Sequence, residues 1–533
     1  MTLPHPSSLV AVAVALGLLA ALALDRAAGP PAPRDRRRPP GSRWVRTARP
    51  RPAPAAGARW GRRSDLDPLR CRPGTPGRLV LGTLGGRARA RSVVAAERGQ
   101  SVAVVGPTQS GKTTALAVPA ILGWSGPVLA TSVKTDLVRD TLAWRRRRGI
   151  VWCFDPGRAT GLEGSAWTPL GAAGTWAGAR RVAADLTEVA RGPGTTADGE
   201  FWYATAAKLL APLLFAAAVS GSTMADVVRW VDTQEVAEVA DILEGVGVPE
   251  ALQAARASWL RDERQRSSVF TTAETVLEPF AEPVPTPPLR GPGATTPGLS
   301  PPVIDPASLL AGANTLYVCA PAHDQRRLRG VFTALVKQVL DSAFSRSARL
   351  GRPLTPPLLV VLDEAANIAP LAELDGLAAT CAGHGVQLVT VWQDVAQITA
   401  RYGPRGATVL NNHRAKLFLS GTADASTLDQ ASHLVGDESV VVPSETRGAA
   451  GRSTTSARIQ RRLLPPDALR CLPSGTGVLV YGGLPPARLT LRPWWEDPVL
   501  AGRGGPAPPV GPEPSRYALR RGRLRAHRPP VVE

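Results

Sequence analysis

The amino-acid sequence predicts an α/β protein: a P-loop nucleotide-binding core that is split by an inserted, mostly helical domain and preceded by one N-terminal transmembrane helix. Three observations support this fold class. A glycine-rich loop, Gly106–Thr113, follows the apolar run 101–105 and leads into a helical pattern. A second apolar run, Leu358–Leu362, ends in two carboxylates. Between residues 175 and 280, strand-like runs give way to helical periodicity.

The first part of the chain predicts a membrane anchor and a linker. Residues 9–24 form an unbroken apolar run, which as a helix would be about 24 Å long, close to the thickness of a bilayer core. The leader, residues 1–8, has no Lys or Arg, whereas residues 25–77 are rich in Arg and Pro. This asymmetry predicts a single-pass anchor in the inner membrane, with an extracytoplasmic leader and the bulk of the chain in the cytoplasm. A secretory signal peptide is the alternative, because Ala21-Leu-Ala23 resembles a cleavage site.

The glycine-rich loop indicates a nucleoside triphosphate site. Two glycines, Gly106 and Gly111, allow the backbone to wrap so that its N–H groups point at phosphates. Lys112 supplies a positive charge to the outer phosphates, and Thr113 supplies a hydroxyl to Mg²⁺. The alternative, an incidental glycine-rich turn, is disfavoured by the strand and helix patterns on either side. The predicted residues for binding ATP are Gly106, Pro107, Thr108, Gln109, Ser110, Gly111, Lys112, Thr113 and Thr114.

The carboxylate pair after the second apolar run predicts the hydrolytic half of the site. A continuous apolar run is typical of a buried parallel strand, whose carboxyl end lies beside the phosphate loop. We expect Asp363 to hold Mg²⁺ together with Thr113, and Glu364 to orient and polarise the attacking water. A strand that merely ends in a solvated acidic turn is the alternative.

Gln393 stands at the end of the strand that follows this carboxylate pair. An amide at that position could sense the γ-phosphate and report hydrolysis, whereas the alternative is a Gln that caps the strand end. We therefore predict Glu364, Lys112 and Gln393 as the catalytic residues.

The order of these patterns predicts one nucleotide-binding domain made of two separate segments, residues 78–174 and 303–498. The inserted residues 175–302 combine helical patterns with a Pro- and Gly-rich exit loop. The insertion accounts for the long gap between the two nucleotide motifs. Residues 499–533, rich in Pro and Arg, predict a disordered tail. The predicted helices of the insertion are Ala179–Val189, Phe201–Ala218, Ala225–Leu243 and Glu250–Leu277.

Composition limits the classes of partner. The formal net charge is +20 and the isoelectric point is about 11.0, which favours a polyanionic partner such as nucleic acid or an anionic membrane face. Much of the excess lies in the Arg-rich segments 26–72 and 503–528, for which solvated basic tails are the alternative. The five cysteines are scattered and form no C-x-x-C pair, so neither a disulfide framework nor a zinc site is predicted.

Several further motifs accompany the two nucleotide motifs and together carry a resemblance to a known family. They are Thr131-Ser-Val-Lys-Thr-Asp136, Phe154-Asp-Pro156, Trp167-Thr-Pro-Leu170, Phe201-Trp202, Asp363-Glu-Ala-Ala-Asn-Ile368, Val391-Trp-Gln-Asp394 and Asn411-Asn-His-Arg-Ala-Lys416.

From about Leu79 to Trp495 the chain resembles the conjugative coupling proteins of type IV secretion systems, the TraG/TraD-like membrane ATPases with a TraM-recognition-type domain. The resemblance implies a RecA-like fold, assembly as a ring of six and ATP hydrolysis. It also implies delivery of a nicked DNA strand, with its attached relaxase, to the channel proteins of a secretion system. Because a basic protein grips DNA through its phosphates, we expect the single strand to be bound without sequence preference. The block that ends at Lys416 looks like the region that recognises the relaxase and its relaxosome.

One departure from that family concerns an arginine that could reach the ATP of a neighbouring subunit. Many relatives carry an Arg before the sensor strand, whereas Cys381-Ala-Gly-His384 has none. Because a ring ATPase needs a cation to stabilise transition-state charge across the interface, Arg405 and Arg414 are the predicted substitutes.

Two other functions compete with the coupling protein. A double-stranded DNA translocase of the FtsK kind shares the anchor, motor and ring, but its winged-helix module would follow the motor, where here only a Pro/Arg tail follows Trp495. A non-hydrolysing membrane receptor could use the nucleotide fold as a scaffold. The intact set of Lys112, Thr113, Asp363 and Glu364 argues against that scaffold.

Overall fold

The computed structural model describes residues 57–505, except 73, 86–92, 193–194, 282–302, 322–324, 326 and 449–450. The predicted transmembrane helix at 9–24, the first part of the predicted linker and most of the predicted tail lie outside the described residues. Within them, strands and helices alternate around one large sheet.

Most strands of the described chain begin and end close to apolar runs of the sequence. The strands are β1 (Arg70–Cys71), β2 (Leu79–Thr83), β3 (Val93–Ala96), β4 (Val102–Val105), β5 (Val128–Ser132), β6 (Val151–Phe154), β7 (Thr315–Cys319), β8 (Leu358–Leu362), β9 (Val386–Trp392), β10 (Ala415–Leu419), β11 (Asp437–Gly448), β12 (Gly451–Arg462), β13 (Thr476–Tyr481) and β14 (Ala487–Thr490). The exceptions, which follow no apolar run, are β1, β11 and β12.

Twelve of these strands form one sheet in the order β1-β3-β2-β14-β13-β10-β4-β9-β8-β5-β7-β6. From β10 to β6 every neighbouring pair is parallel. From β1 to β13, and between β13 and β10, the pairs are antiparallel. The strands β11 and β12 form a separate hairpin. This mixed, mostly parallel sheet confirms the predicted α/β class.

The parallel strands are buried on both faces. Alternate residues of β4 belong to different hydrophobic clusters: Ala103 and Val105 lie on one face, and Val102 and Val104 lie on the other. All residues of β8 and β9 are buried as well. Strands that are buried on both faces consist of continuous apolar residues, so their positions could be predicted from the sequence. Because β9 lies between β4 and β8, the loops after these three strands meet at one edge of the sheet.

Helices cover the sheet and fill the chain between β6 and β7. They are α1 (Val118–Gly123), α2 (Asp136–Arg146), α3 (Trp176–Ala190), α4 (Ala197–Ser220), α5 (Met224–Asp232), α6 (Ala237–Val246), α7 (Pro249–Trp259), α8 (Glu263–Leu277), α9 (Pro306–Leu309), α10 (Arg329–Leu350), α11 (Leu374–His384), α12 (Val395–Tyr402), α13 (Gly406–Asn412), α14 (Ala425–Val435), α15 (Pro466–Arg470) and α16 (Pro498–Ala501). Short 3-10 turns lie at Asp67–Leu69, Pro169–Ala172, Glu278–Phe280, Gly403–Arg405 and Trp494–Glu496, and a π-helical turn at Thr113–Ala117 precedes α1.

The helices α3 to α8 pack around α4, which contacts each of the other five. Among the described residues, α4 is the one helix long and apolar enough to cross a membrane. However, 61% of its apolar window is buried in the protein. This helix, which contains Pro212, therefore forms the core of the helical layer.

Two predicted helices of the insertion are wrong in length. The pattern at 225–243 is divided between α5 and α6, and Gln234 between them adopts a left-handed φ of 51°. The pattern at 250–277 is divided between α7 and α8, because Asp262 accepts a hydrogen bond from the Gln265 N–H and starts a new helix. In both cases the helical spacing of apolar residues continues in the sequence, but a local turn or cap ends one helix and starts the next.

Both ends of the described chain differ from the flexible segments predicted there. Residues 57–77, at the end of the predicted linker, contain β1, which pairs with β3. Nearby, the Gly61 N–H donates to the Pro486 carbonyl at 2.7 Å. At the other end, Arg503 donates from Nη1 to a carbonyl of α1 at 3.1 Å. The ordered chain therefore extends beyond the predicted nucleotide-binding core in both directions.

Arg145, at the end of α2, is fully buried at the amino edge of the sheet. Its guanidinium donates to Thr315 Oγ1 at 2.6 Å and to the carbonyls of Trp124, Gly126 and Ala313 at 2.9, 2.9 and 3.0 Å. Burial lowers the pKa of Arg145 to about 10, which leaves it charged at neutral pH. The side chain thus joins α2 to the segments that lead into β5 and β7.

We expect Arg145→Met to destabilise the fold by roughly 3 kcal/mol or more, because it leaves several buried carbonyls without donors. The neighbouring Arg146 is exposed, so Arg146→Met is a matched control with an expected change below about 0.5 kcal/mol. Urea unfolding of both variants measures the difference. Equal midpoints for the two variants would show that the hydrogen bonds of Arg145 do not stabilise the fold.

Candidate nucleotide-binding site

The phosphate loop joins β4 to the π-helical turn Thr113–Ala117, which continues into α1. Gly106 has no room for a side chain, because a Cβ there would lie 2.7 Å from Leu419 Cβ. Its N–H donates to the Trp392 carbonyl of β9 at 3.1 Å, which ties the loop to the neighbouring strand. Gly111 adopts a φ of 90°, a conformation that favours glycine. The loop geometry therefore requires both glycines of the motif.

The other predicted loop residues surround this frame. Ser110 is buried, and its Oγ donates to the Pro107 carbonyl at 2.8 Å. Thr108 and Gln109 are exposed at the loop tip, where Gln109 has a left-handed φ of 64°, and Thr114 is half-buried in the π-helical turn. A non-glycine residue with this backbone is uncommon, and such residues cluster at ligand sites.

Lys112 lies half-buried inside the loop. Its Nζ donates to the carbonyls of Gly106 and Pro107, the latter at 2.7 Å. Burial lowers the pKa of Lys112, and the nearby carboxylates of Asp363 and Glu364 oppose that shift. The ammonium therefore lies between the loop backbone and the carboxylate pair, where it can reach an anion held by the loop.

Asp363 follows β8 directly and is 8% exposed. Its Oδ2 accepts a hydrogen bond from Thr113 Oγ1 at 3.3 Å, and its backbone carbonyl accepts one from Thr131 Oγ1 at 3.2 Å. Burial, followed by the negative charge of Glu364, raises the pKa of Asp363 to about 6. The structure thus brings together the two predicted metal ligands, which are 250 residues apart in the sequence.

These residues fit a magnesium ion. A hydroxyl and a carboxylate are oxygen donors, which Mg²⁺ prefers, and they lie side by side next to the phosphate loop. The raised pKa of Asp363 reflects a buried negative charge beside another carboxylate, which a divalent cation would neutralise.

Glu364 adopts a left-handed φ of 57°, which is rare for a residue with a side chain. Its Oε2 accepts a hydrogen bond from Asn367 Nδ2 at 3.2 Å, and the next N–H, of Ala365, donates to the Val391 carbonyl of β9 at 3.2 Å. Strained backbone of this kind persists where the surrounding structure holds it, and it is enriched at functional sites. The carboxylate is therefore held in one orientation at the edge of the sheet.

Gln393 follows β9, between the strands that carry the phosphate loop and the carboxylate pair. Its backbone N–H donates to Gln397 Oε1 at 3.1 Å, and Asp394 begins α12 by accepting from the Gln397 N–H at 2.7 Å. The structure thus places Gln393 at the same edge as Lys112 and Glu364, which is the position a sensor requires.

Sequence reasoning missed two residues of this site, Asp394 and Asn367. The charge of Asp394 acts on Lys112, as does that of Lys134, and Asn367 orients Glu364. Asp394 and Asn367 stand inside motifs quoted above, but no pattern in the sequence assigns them a contact. Their position in the loops after β9 and β8 is the signal that could have found them, since these loops meet at one edge.

The structure does not bring Arg405 and Arg414 to the phosphate loop of their own chain. Arg405 pairs with Asp375, and Arg414 pairs with Glu97 at 3.2 Å. Arg414 also precedes β10, which runs parallel to β4, so it lies at the opposite edge of the sheet from the loop. Both side chains are at least half-exposed. A role for either arginine in a neighbouring subunit stays a prediction.

The TraG protein and TrwB structures are similar to this chain. The conjugal transfer protein TraG of Escherichia coli is 26% identical over 462 residues, which cover 77% of this chain and 70% of TraG. The plasmid coupling protein TrwB in complex with the non-hydrolysable ATP analogue ADPNP has a TM-score of 0.59 at 18% identity, covering 83% of this chain and 95% of TrwB. TrwB in complex with ADP and Mg²⁺ has a TM-score of 0.54 at 19% identity, with the same coverage.

These structural likenesses show the fold, and the family follows from the sequence. The model of the family described as "Type IV secretory system Conjugative DNA transfer" matches residues 80–507, which is most of the chain and includes the whole site. The chain therefore belongs to the type IV secretory system conjugative DNA transfer family.

Proposed function

We propose that this chain binds ATP with Mg²⁺, hydrolyses it, and uses the energy to deliver DNA to a type IV secretion channel. The observation that carries the proposal is the meeting of Lys112 and Thr113 after β4 with Asp363 and Glu364 after β8, with Gln393 between them. The complexes of the relative TrwB with ADPNP and with ADP and Mg²⁺ support the choice of ligand.

Each residue then has a distinct part. The loop N–H groups and Lys112 hold the phosphates, while Thr113 and Asp363 are the residues that would hold Mg²⁺. When bound there, Mg²⁺ would neutralise negative charge on the outer phosphates. Glu364 orients the attacking water and accepts a proton from it as a general base. Gln393 contacts the γ-phosphate and responds when hydrolysis removes it.

The motor is proposed to act as a ring of six around a DNA strand. In such a ring Arg405 or Arg414 would stabilise transition-state charge at the nucleotide of the neighbouring subunit. Both side chains are exposed, and Arg414 lies at the opposite edge of the sheet from the chain's own phosphate loop, which supports a role in a neighbouring subunit. The net charge of +20 supports a polyanionic cargo, gripped through its phosphates without sequence preference.

The proposal extends to location and partners. The apolar residues 9–24 would anchor the chain in the inner membrane, with residues 78–174 and 303–498 as the cytoplasmic motor and 175–302 as its helical insertion. The relaxase bound to the transferred strand and the channel proteins of the secretion system would be the protein partners. Membership of the conjugative DNA transfer family, whose model matches residues 80–507, supports the assignment of the motor and of its secretion-system partners.

ATP turnover of the detergent-solubilised full chain, measured with and without DNA, tests the proposal. We expect single-stranded DNA to stimulate turnover severalfold, at least as well as duplex DNA. Because binding to phosphates releases counterions, stimulation should fall steeply with salt and vary little with sequence.

The same assay separates the competing functions. Stimulation by duplex DNA alone would favour a translocase of the FtsK kind. ATP binding without turnover, in the presence of either form of DNA, would favour a receptor scaffold and contradict the proposal.

A further inference from the structure

A cavity of about 300 Å³ lies between the residues that follow α3 directly and the turn after α12. Three guanidinium groups, of Arg191, Arg401 and Arg405, line it together with Tyr402. We refer to these four residues as the arginine pocket. Arg191 belongs to the helical layer, whereas Arg401, Tyr402 and Arg405 follow the predicted sensor Gln393 by about ten residues.

Two of the three arginines have carboxylate partners. Arg191 pairs with Glu200 at 3.3 Å, and Arg405 pairs with Asp375. The remaining carboxylate of the lining, Glu188, is bound to Lys337 Nζ at 2.9 Å. The acidic groups of the cavity are therefore already neutralised.

Arg401 is different, because it is half-buried and has no carboxylate partner among the described residues. Burial lowers the pKa of Arg401, and the positive charge of Arg329 adds to that effect. A guanidinium that is partly removed from water beside another cation is destabilised. An anion bound in the cavity would relieve both effects.

Tyr402 joins the cavity to β9. Its Oη is enclosed by protein atoms and has no hydrogen-bond partner among the described residues, so the hydroxyl does not face the open cavity. The ring packs edge-on against Trp392, with ring centroids 6.2 Å apart. Arg401 is therefore the side chain of this cavity that lacks an anionic partner in the described part of the chain.

The chemistry of the lining selects the kind of anion. The planar fork of a guanidinium matches the oxygens of a phosphate group. A nucleoside triphosphate with Mg²⁺ also needs free carboxylates for the metal, whereas Glu188 and Glu200 are both ion-paired. The singly charged phosphodiester of a nucleic acid needs no metal. The cavity therefore fits one phosphate of a DNA backbone better than a nucleotide.

We propose that the arginine pocket binds a backbone phosphate of the single DNA strand, with Arg401 as the principal contact. This inference rests on the proposed function as a DNA motor. Through Trp392, which packs on Tyr402 and precedes Gln393, the bound strand is connected to the end of β9. The pocket would thus link occupancy by DNA to the nucleotide site.

Fluorescence anisotropy of a labelled oligo(dT), titrated with the full chain at several salt concentrations, tests this assignment. We expect Arg401→Gln to weaken DNA binding about fivefold near ~0.1 M salt and to reduce the salt slope by about 0.7, the values for one lost phosphate contact with single-stranded DNA. Arg401→Lys keeps the charge, so it should keep the slope but bind more weakly than wild type. Arg349→Gln, an exposed arginine on α10, is the matched control and should bind as wild type does.

ATP turnover without DNA and the affinity for a fluorescent ATP analogue separate this inference from the proposed function. Both should be unchanged in Arg401→Gln. Equal DNA binding by Arg401→Gln and Arg349→Gln would overturn the pocket while leaving the motor intact, and Arg401→Lys decides the same point if Arg401→Gln does not fold. If Arg401→Gln loses affinity for the ATP analogue but binds DNA as wild type does, the inference is also overturned, because the arginine pocket would then bind a nucleotide phosphate.

Discussion

Glu364→Gln should bind ATP as tightly as the wild-type chain and turn it over at least about 100-fold more slowly. The substitution keeps the size of the side chain, and the amide oxygen can still accept the hydrogen bond that Asn367 donates at 3.2 Å. The left-handed backbone of this residue is therefore expected to persist. What is lost is the negative charge that polarises the attacking water.

Single-turnover release of phosphate, together with titration of a fluorescent ATP analogue, measures both halves of this expectation. Glu373→Gln is the matched control, because Glu373 is an exposed carboxylate just before α11 and should show wild-type turnover. Wild-type turnover in Glu364→Gln would remove Glu364 from the catalytic set. The next carboxylate to examine would then be Asp394, whose charge acts on Lys112.

Lys112→Ala should weaken ATP binding by roughly 100-fold, since a hydrogen bond to a charged group contributes about 1.5–3 kcal/mol. Lys112 is half-buried and donates to two loop carbonyls, so a phosphate held by the loop would give its ammonium a charged acceptor in place of neutral ones. Turnover at ATP concentrations near the wild-type dissociation constant should fall in proportion.

Titration with the ATP analogue in the presence of Mg²⁺ measures this loss directly. Lys208→Ala changes an exposed lysine on α4 and should leave the affinity unchanged. If Lys112→Ala and Lys208→Ala bind the analogue equally well, the phosphate loop is not the nucleotide site, and the proposed function loses its basis.

The local parts of the site could be predicted from the sequence. The backbone of the phosphate loop requires both glycines, so the loop can be recognised from a short sequence motif. The carboxylate pair follows a strand buried on both faces, which leaves a continuous apolar run in the sequence. The position of Gln393 follows from the same rule applied to β9.

The rest depends on contacts between distant parts of the chain, which leave no local signal. Asn367 and Asp394 became site residues only because three loops meet at one edge of the sheet. Arg145 is the first of four consecutive arginines, and nothing in the sequence distinguishes it from the other three, yet it is fully buried. The antiparallel pairing of β14 with β2 joins Thr490 to Thr83, which are 407 residues apart in the sequence.

The strand order also determines when the nucleotide site can form during synthesis. The strands β4, β5 and β6 leave the ribosome before the helices α3 to α8, but among the described strands each of them pairs only with strands that follow those helices. Those helices make contacts among themselves and can fold early, whereas the three strands expose apolar residues until β7 to β10 arrive. We expect the nascent chain to need protection by chaperones over this interval, with a nucleotide-binding form appearing only after Leu419 has been made.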